Sequence, residues 1–293
     1  MKLSYRKFKS FLITRFVFFN GIISIIVLTL ILIFLVYNSF KFFAEYPFFQ
    51  FLTGTRWAPT STPEKFGLVP LLLGSTLVTV GAILIALPLG VGAAIYIGEL
   101  APRALREILK PIIEVLATIP SVVIGFIGIQ LIVPLIKNSF KLPIGLTALA
   151  GSIMLAFMSL PTIISISEDA INAVPVKYRH ASLALGATKW ETTYKVVVPA
   201  ASSGIVASIM LGLGRIVGET MTVLMLTGNS PRIVFSLLQP VRTITATIAA
   251  ELGETVQGGL HFSSLFAIGL VLFLITFLIN LIADRFMGRI KNN

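Results

Sequence analysis

The sequence contains no cysteine among its 293 residues and only two histidines. The absence of cysteine excludes disulfide bonds, zinc–thiolate sites and thiol catalysis. No segment matches Gly-x-x-x-x-Gly-Lys-Ser/Thr, the loop that cradles nucleotide phosphates, so any ATP hydrolysis would belong to a partner chain.

Charged residues are also scarce. They make up 12% of the chain, hydrophobic residues make up 56%, and the mean hydropathy is +0.96. Soluble domains carry roughly 25% charged residues, so the composition predicts a membrane protein with little mass outside the bilayer. Acidic residues are the rarer sign, 12 against 23 basic ones, which gives a net charge of +11. Such basicity is compatible with nucleic-acid binding or with orientation in a membrane. The positions of the charges along the chain distinguish the two.

Six long apolar segments follow one another along the chain, and a span needs about 20 residues. They are residues 16–36, 71–97, 112–136, 146–166, 200–226 and 262–283. A basic N-terminal segment precedes the first, as in a signal peptide, whose apolar core is only about 7–15 residues long. The first segment has 21 residues without a charge, so we expect it to remain as a span. The sequence thus predicts an all-α, polytopic membrane protein with six transmembrane helices.

The basic residues are distributed unevenly between the two sides of these spans. Fifteen lie in the two tails and in the segments near residues 99–111 and 168–195, seven lie on the opposite side, and Arg215 lies inside a span. Because lysine and arginine are enriched in cytoplasmic loops, we expect both termini in the cytoplasm. The basicity then serves orientation in the cell membrane, and we expect membrane lipid but no nucleic acid as a partner.

The stretch from residue 40 to residue 68 is rich in aromatic residues and proline. Aromatic side chains favour the membrane–water interface, so we interpret the stretch as an interfacial loop, with a docking surface for an external partner as the alternative. Near the same end of the protein, we expect Arg242 and Glu251 to be solvated loop charges and His261 to be interfacial.

The longest polar segment, residues 168–199, has the pattern of two short helices joined by a sharp corner. Pro175 suits a helix start, where its missing N–H is not needed. Gly186 suits a left-handed helix stop. Thr188 and Glu191 have the spacing of a capping box, in which each side chain binds the other residue's backbone N–H.

This polar segment resembles the cytoplasmic coupling loop of ABC-importer permeases, which carries Glu-Ala-Ala, then Gly, then Ile-x-Leu-Pro. The matching positions are Ala181, Gly186, Val196, Val198 and Pro199. Ser182 replaces the second alanine, and His180 stands where the family usually has glutamate. The resemblance implies that His180, Ala181, Ser182, Gly186 and Pro199 contribute to the contact with an ATPase subunit.

Further motifs resemble the PstC-type permeases of phosphate ABC importers, over nearly the whole chain after residue 55. The most specific is Gly-Arg-x-x-Gly-Glu-Thr at residues 214–220; others are Trp57-x-Pro59, residues 110–126 and Leu160-Pro161-Thr162. The resemblance implies a type I ABC importer permease fold, in a subunit that is not an enzyme and has neither a cofactor nor a metal ion. The implied partners are a second, PstA-like permease, two PstB-like ATPase subunits and an extracytoplasmic PstS-like phosphate-binding protein.

Arg215 and Glu219 are the only charged residues in the fifth apolar segment. A charge inside the bilayer is costly unless it faces a cavity or a partner. Their spacing of four residues places the two charges on one face of the predicted helix, about 6 Å apart. One interpretation is a structural ion pair that orients helices. The other is an anion pathway of Arg215, Glu219 and Thr220, because the guanidinium fork suits phosphate.

We divide the chain into residues 1–68, a permease core at residues 69–286 containing the coupling loop 168–199, and a basic tail at residues 287–293. Two alternatives remain close to the first interpretation: a permease for another oxyanion, such as molybdate or sulfate, and the PstA-like partner permease. A third is a DNA-binding regulator, since residues 178–195 form a basic helix–turn–helix pattern. Two membrane spans flank that pattern, which argues against entry into a major groove.

Overall fold

The fold is almost entirely helical. The computed structural model describes the backbone of residues 2–292 and the side chains of residues 11, 13–282 and 285. The helices are α1 (Lys2–Glu45), α2 (Phe48–Thr53), α3 (Val69–Ile95), α4 (Arg103–Ala117), α5 (Ser121–Ile127), α6 (Val133–Ser139), α7 (Ala148–Asn172), α8 (Val176–Ala184), α9 (Lys189–Thr192), α10 (Val198–Ala200), α11 (Ser202–Gly218), α12 (Met221–Leu226), α13 (Ile244–Glu251) and α14 (Leu260–Asn292).

Three π-helical turns and one small hairpin complete the secondary structure of the described backbone. The π-helical turns are Tyr96–Leu100, Gly128–Ile132 and Thr193–Val197. The strands β1 (Trp57–Ala58) and β2 (Lys65–Phe66) pair antiparallel, with Trp57 opposite Phe66. The π-helical turns continue helices α3, α5 and α9, so the helical stretches are longer than their α-helical parts alone.

Five helical stretches in the described part of the chain are long and apolar enough to cross a membrane: Ile13–Glu45, Val69–Leu100, Ser121–Ser139, Ala148–Asn172 and Leu260–Ile282. The stretches Lys189–Ala200 and Ser202–Gly218 provide a sixth span if they are counted together, and they are bent by 69°. The predicted all-α, polytopic membrane architecture is confirmed, with the fifth of the six spans bent. The basic side chains of the predicted tail 287–293 lie outside the described side chains.

The centre of the protein is the packing of α3 along α7, with α11 against α7. Glycines of α3 lie at the closest points of this contact. A Cβ atom at Gly90 would lie 2.7 Å from Cγ2 of Ile163, and one at Gly81 would lie 2.5 Å from Oγ of Ser152. Small residues allow membrane helices to approach this closely, which increases their van der Waals contact.

The third span begins later than the sequence predicted. Residues 112–117 belong to the separate amphipathic helix α4, which has no buried residue, and the span starts at Ser121. Pro120 adopts an extended conformation just before α5, with φ −59° and ψ 140°. Proline has no N–H to donate and disfavours helical geometry in the residue before it, so the chain turns there instead of continuing one helix.

The aromatic stretch after the first span contains a short helix and a hairpin that form a packed cluster, so the expected loop is wrong, whereas its interfacial position stays a prediction. Phe42, Phe51, Trp57 and Phe66 are buried, and Phe66 lies between neighbours with ring-centre distances of 5.3 Å to Phe42 and 5.8 Å to Trp57. The hairpin turns these side chains inward against α1 and α14. Some apolar side chains of the stretch remain outside, including Phe49, which is 79% exposed.

We expect Phe66→Ala to destabilise this cluster by about 3–5 kcal/mol, since it removes a fully buried ring and leaves a cavity. The measurement is the melting temperature of the detergent-solubilised protein. Phe49→Ala is the matched control and should melt like the wild type. Equal melting temperatures for the two variants would show that the cluster does not stabilise the fold.

Candidate functional site

The helix that carries Arg215 breaks in the middle of the predicted fifth span. Helix α11 ends at Gly218, Glu219 is extended with ψ 135°, and α12 starts at Met221. The Glu219 carboxylate accepts a hydrogen bond from the backbone N–H of Thr222 at 3.2 Å. It thereby caps α12, where a carboxylate is also favoured by the helix dipole. The expected continuous helix over residues 200–226 is therefore wrong.

The break separates Arg215 from Glu219. Within the described residues neither side chain forms an ion pair, so the predicted arginine–glutamate pair one helical turn apart is wrong. The guanidinium of Arg215 instead donates from Nη1 to Oγ1 of Thr162 on α7, at 3.3 Å. Arg215 is partly buried. An arginine held by a hydroxyl group alone keeps its positive charge available to an anion.

Hydroxyl groups surround the backbone break. A small cavity beside Glu219 is lined by Ser75, Thr79, Thr243 and Thr245, among other residues. Thr245 Oγ1 donates to the backbone carbonyl of Glu219 at 2.8 Å. The hydroxyl of Thr220, the third predicted pathway residue, lies 3.4 Å from the carbonyl of Gly218. The break is thus stabilised by side chains from α13 and from its own ends.

The predicted corner in the polar segment is present. Gly186 has φ +85°, a conformation that L-residues rarely adopt, and it follows Leu185, the C-cap residue of α8. Thr188 Oγ1 accepts from the N–H of Glu191 at 3.2 Å, and Glu191 Oε2 accepts from the N–H of Thr188 at 3.0 Å. Both the glycine stop and the capping box are therefore confirmed.

Large apolar side chains project from this corner. Leu185 is 90% exposed, Trp190 60% and Leu183 45%. Of the predicted contact residues, His180, Ala181, Gly186 and Pro199 are exposed, whereas Ser182 is half-buried and shares a hydrogen bond of 2.9 Å with Thr192. Exposed apolar patches of this kind mark a contact with another protein or a membrane.

The polar segment starts later than predicted, because Glu168 and Asp169 belong to α7. Glu168 is 3% exposed and binds Nζ of Lys110 on α4 at 3.0 Å. The hydrogen bond with Glu168 raises the pKa of Lys110 above its ordinary value. A raised lysine pKa means that the ion pair stabilises the folded state at neutral pH, and that this contribution is lost only as the pH rises above about 10.4.

A second polar cluster lies at the other end of the protein, and the sequence did not predict it. Glu251 accepts hydrogen bonds from Trp57 Nε1 at 3.1 Å, pairs with Arg242 at 2.8 Å and contacts His261 Nε2 at 2.8 Å. The side chains of Glu251 and Arg242 are only 12% and 15% exposed. The expectation of solvated loop charges is therefore wrong for Arg242 and Glu251, and the interfacial position of His261 stays a prediction. The pairing of a tryptophan N–H with a carboxylate across 194 residues has no local signal.

The helical spans and the exposed polar corner are those of a multi-pass membrane protein with a docking surface, and comparison with known proteins identifies its family. Residues 86–292 match the family described as binding-protein-dependent transport system inner membrane component. The chain belongs to this family, which makes it a multi-pass permease subunit and not an enzyme. The expected resemblance to ABC-importer permeases is confirmed.

Several curated relatives cover most of the chain. A probable ABC transporter permease protein, YqgH of Bacillus subtilis, is 41% identical over 83% of this chain and 78% of its own length. The phosphate transport system permease protein PstC of Mesorhizobium japonicum is 41% identical over 83% of this chain and 79% of its own. PstC of Haemophilus influenzae is 37% identical over 89% of this chain and 87% of its own length.

Solved structures support the type I importer fold at low identity. A bacterial ABC transporter involved in the import of alginate superposes with a TM-score of 0.64 over 94% of this chain and 96% of that chain, at 14% identity. The inward-facing MetNI methionine ABC transporter superposes with a TM-score of 0.57 over 76% of this chain and 94% of that chain, at 20% identity. These likenesses concern the fold alone.

The Glu251 cluster yields a stability prediction. Glu251→Leu leaves the charge of Arg242 buried without a partner, which should cost about 3–5 kcal/mol. The double variant Arg242→Leu, Glu251→Leu removes both charges and should recover part of the loss. Melting temperatures in detergent provide the comparison, with Glu254→Leu at an exposed position as the control. A wild-type melting temperature for Glu251→Leu would contradict the expected stabilising role.

Proposed function

We propose that this chain is the PstC-type permease subunit of an ATP-driven phosphate importer and forms half of the translocation pathway. The observation that carries the proposal is the environment of Arg215, a partly buried cation in a span whose contact is the hydroxyl of Thr162 at 3.3 Å. A structural ion pair with Glu219 was the competing interpretation, and the two residues are not paired. The relatives named PstC support phosphate as the substrate.

Arg215 and Thr162 offer hydrogen-bond donors that suit an oxyanion, since a guanidinium binds such oxygens with two parallel N–H groups. Sulfate and molybdate would accept these bonds as well. Glu219 and Thr220 lie at the helix break, four and five residues further along the chain. A carboxylate favours an anion that still carries a proton at neutral pH, as phosphate does, and disfavours the fully deprotonated dianions. This favours phosphate over the other oxyanions; the PstA-like alternative has no separate structural support.

The proposed complex contains a second, PstA-like permease, two PstB-like ATPase subunits and an external PstS-like phosphate-binding protein. The corner at Gly186, with His180, Ala181, Ser182 and Pro199 nearby, would contact one ATPase, and the exposed Leu185 and Trp190 would enter its groove. The bias of lysine and arginine supports a cytoplasmic position for this corner and both termini. Closure of the ATPase dimer would then move the corner and switch the spans between inward and outward opening.

A DNA-binding function has little support. The second helix of the helix–turn–helix pattern, α9, has only four residues and continues through a π-helical turn into α10. A recognition helix must lie in the major groove with several side chains on base edges. A helical stretch that is itself part of a bent membrane span, Lys189–Ala200, cannot do so.

We expect Arg215→Leu to abolish most phosphate transport without preventing assembly. The loss of a charge-assisted hydrogen bond, worth roughly 1.5–3 kcal/mol, should lower uptake about ten- to a hundredfold. Arg215→Lys should also transport less, because an ammonium group lacks the guanidinium fork. The measurement is uptake of labelled phosphate into proteoliposomes containing the whole complex, with gel filtration to check assembly.

Arg103→Leu is the control for this experiment, since Arg103 is an arginine of α4 whose side chain is 92% exposed. It should transport like the wild type. Because Glu219 caps α12 and does not pair with Arg215, the single substitution leaves no carboxylate newly unpaired. Normal uptake by an assembled Arg215→Leu complex would exclude Arg215 from the pathway.

Gly186→Val should weaken binding of the ATPase while the spans insert normally. A β-branched residue at φ +85° costs roughly 1–3 kcal/mol, so the corner should change shape. Gly92→Val is the matched control, because a Cβ atom at either glycine would have no neighbour within 4 Å and only Gly186 has a positive φ. Co-purification of the ATPase with each variant is the measurement. Equal recovery of the ATPase would contradict the docking role.

A further inference from the structure

Helix α8, the first helix of the corner, has no apolar anchor in the membrane core. None of its residues is fully buried, and none belongs to the hydrophobic clusters formed by the spans. Arg179 and Ser182 are its only half-buried residues, and the others are exposed. Polar contacts of these two side chains therefore have to hold α8 against the rest of the protein.

Arg179 makes most of those contacts. Its guanidinium donates twice to Oε1 of Glu99, from Nε at 3.0 Å and from Nη2 at 2.5 Å. Nη1 donates to the carbonyl of Val174 at 2.5 Å, and Nη2 also donates to the carbonyl of Ile171 at 2.9 Å. Ser182 differs, because its partner Thr192 belongs to α9 within the corner itself.

The acceptors of Arg179 belong to two different spans. Glu99 lies in the π-helical turn that ends the second span, and Ile171 and Val174 lie at the C-terminal end of α7, in the fourth span or just after it. The side chains of Arg179 and Glu99 are 19% and 9% exposed. A cation at the carbonyl end of a helix also interacts favourably with the helix dipole. One guanidinium thus joins α8 to both central helices of the core.

We propose that Arg179 is a positioning residue that transmits the movement of the corner to the second and fourth spans. The inference rests on the proposed docking of the corner to an ATPase. Apolar contacts are non-directional and allow sliding, whereas four hydrogen bonds from one planar group fix both distance and orientation. Arg179 itself faces the core, so its role is distinct from that of the exposed residues that meet the ATPase.

The test uses the complete reconstituted complex and compares Arg179→Lys with the wild type. Lysine retains the charge but cannot bind all three acceptors from one rigid plane. We expect normal assembly, normal ATPase binding and continued ATP hydrolysis, with the phosphate transported per ATP reduced at least about fivefold, the lower end of typical coupling between distant sites. Arg103→Lys is the control, since Arg103 pairs with Glu107 on an exposed face of α4. An unchanged amount of phosphate transported per ATP in the assembled Arg179→Lys complex would overturn the proposal.

A second variant separates transmission from folding. The double variant Arg179→Met, Glu99→Leu leaves no buried charge unpaired, so it should assemble even if a single substitution does not. We expect it to hydrolyse ATP and to remain poorly coupled, because apolar side chains cannot bind the carbonyls of α7. The positioning role would be overturned if the double variant transported as much phosphate per ATP as the wild type, or if neither variant assembled.

Failure of the docking proposal would give a different result. If docking fails, the Gly186→Val variant still binds the ATPase. If only the positioning role fails, Gly186→Val still weakens ATPase binding, but Arg179→Lys leaves the phosphate transported per ATP unchanged. The two outcomes are read from different variants and different measurements.

Discussion

Inside a bilayer no water is available to satisfy the backbone N–H and C=O groups that a broken helix releases, and the centre of this protein is arranged around that constraint. The break after Gly218 exposes such groups. The Glu219 carboxylate binds an N–H of α12, and Thr245 binds the carbonyl of Glu219. Irregular backbone at this depth is tolerated only where protein surrounds it or a cavity adjoins it. A small cavity lined partly by hydroxyl groups does adjoin this break, as the constraint requires.

The buried charges of the described residues differ in how completely they are paired. Glu251 has three side-chain partners, Glu168 has a lysine and an asparagine, and Arg179 has a glutamate and two carbonyls. Each of these groups has contacts that offset the cost of removing a charge from water. Arg215 has one long hydrogen bond to a hydroxyl. This contrast supports the proposed role of Arg215 in substrate binding.

Coupling of ATPase movement to the spans requires a surface that binds the ATPase and contacts that transmit the movement of this surface to the spans. In the proposed mechanism the corner around Gly186 would provide the surface, since its large apolar side chains are exposed and its backbone is fixed by the glycine and the capping box. The contacts of Arg179 would provide the connection to α3 and α7, which pack closely through glycines. Close-packed helices move as units and do not deform continuously, so a small displacement at the corner can change the arrangement of the spans.

The sequence by itself determined the features that depend on near neighbours in the chain. The length of the apolar segments predicted the spans, Gly186 predicted the left-handed corner, and Thr188 with Glu191 predicted the capping box. These signals are local, because helix propensity, capping and turn geometry are decided within about four residues.

Only the tertiary structure decided which distant groups meet. Glu251 looked like a solvated loop charge until Trp57, 194 residues away, was found to bind it. Arg215 looked paired with Glu219 until the helix was found to break between them and Thr162 took its place. Such contacts depend on how separate helices pack, and a single sequence carries no direct record of that packing.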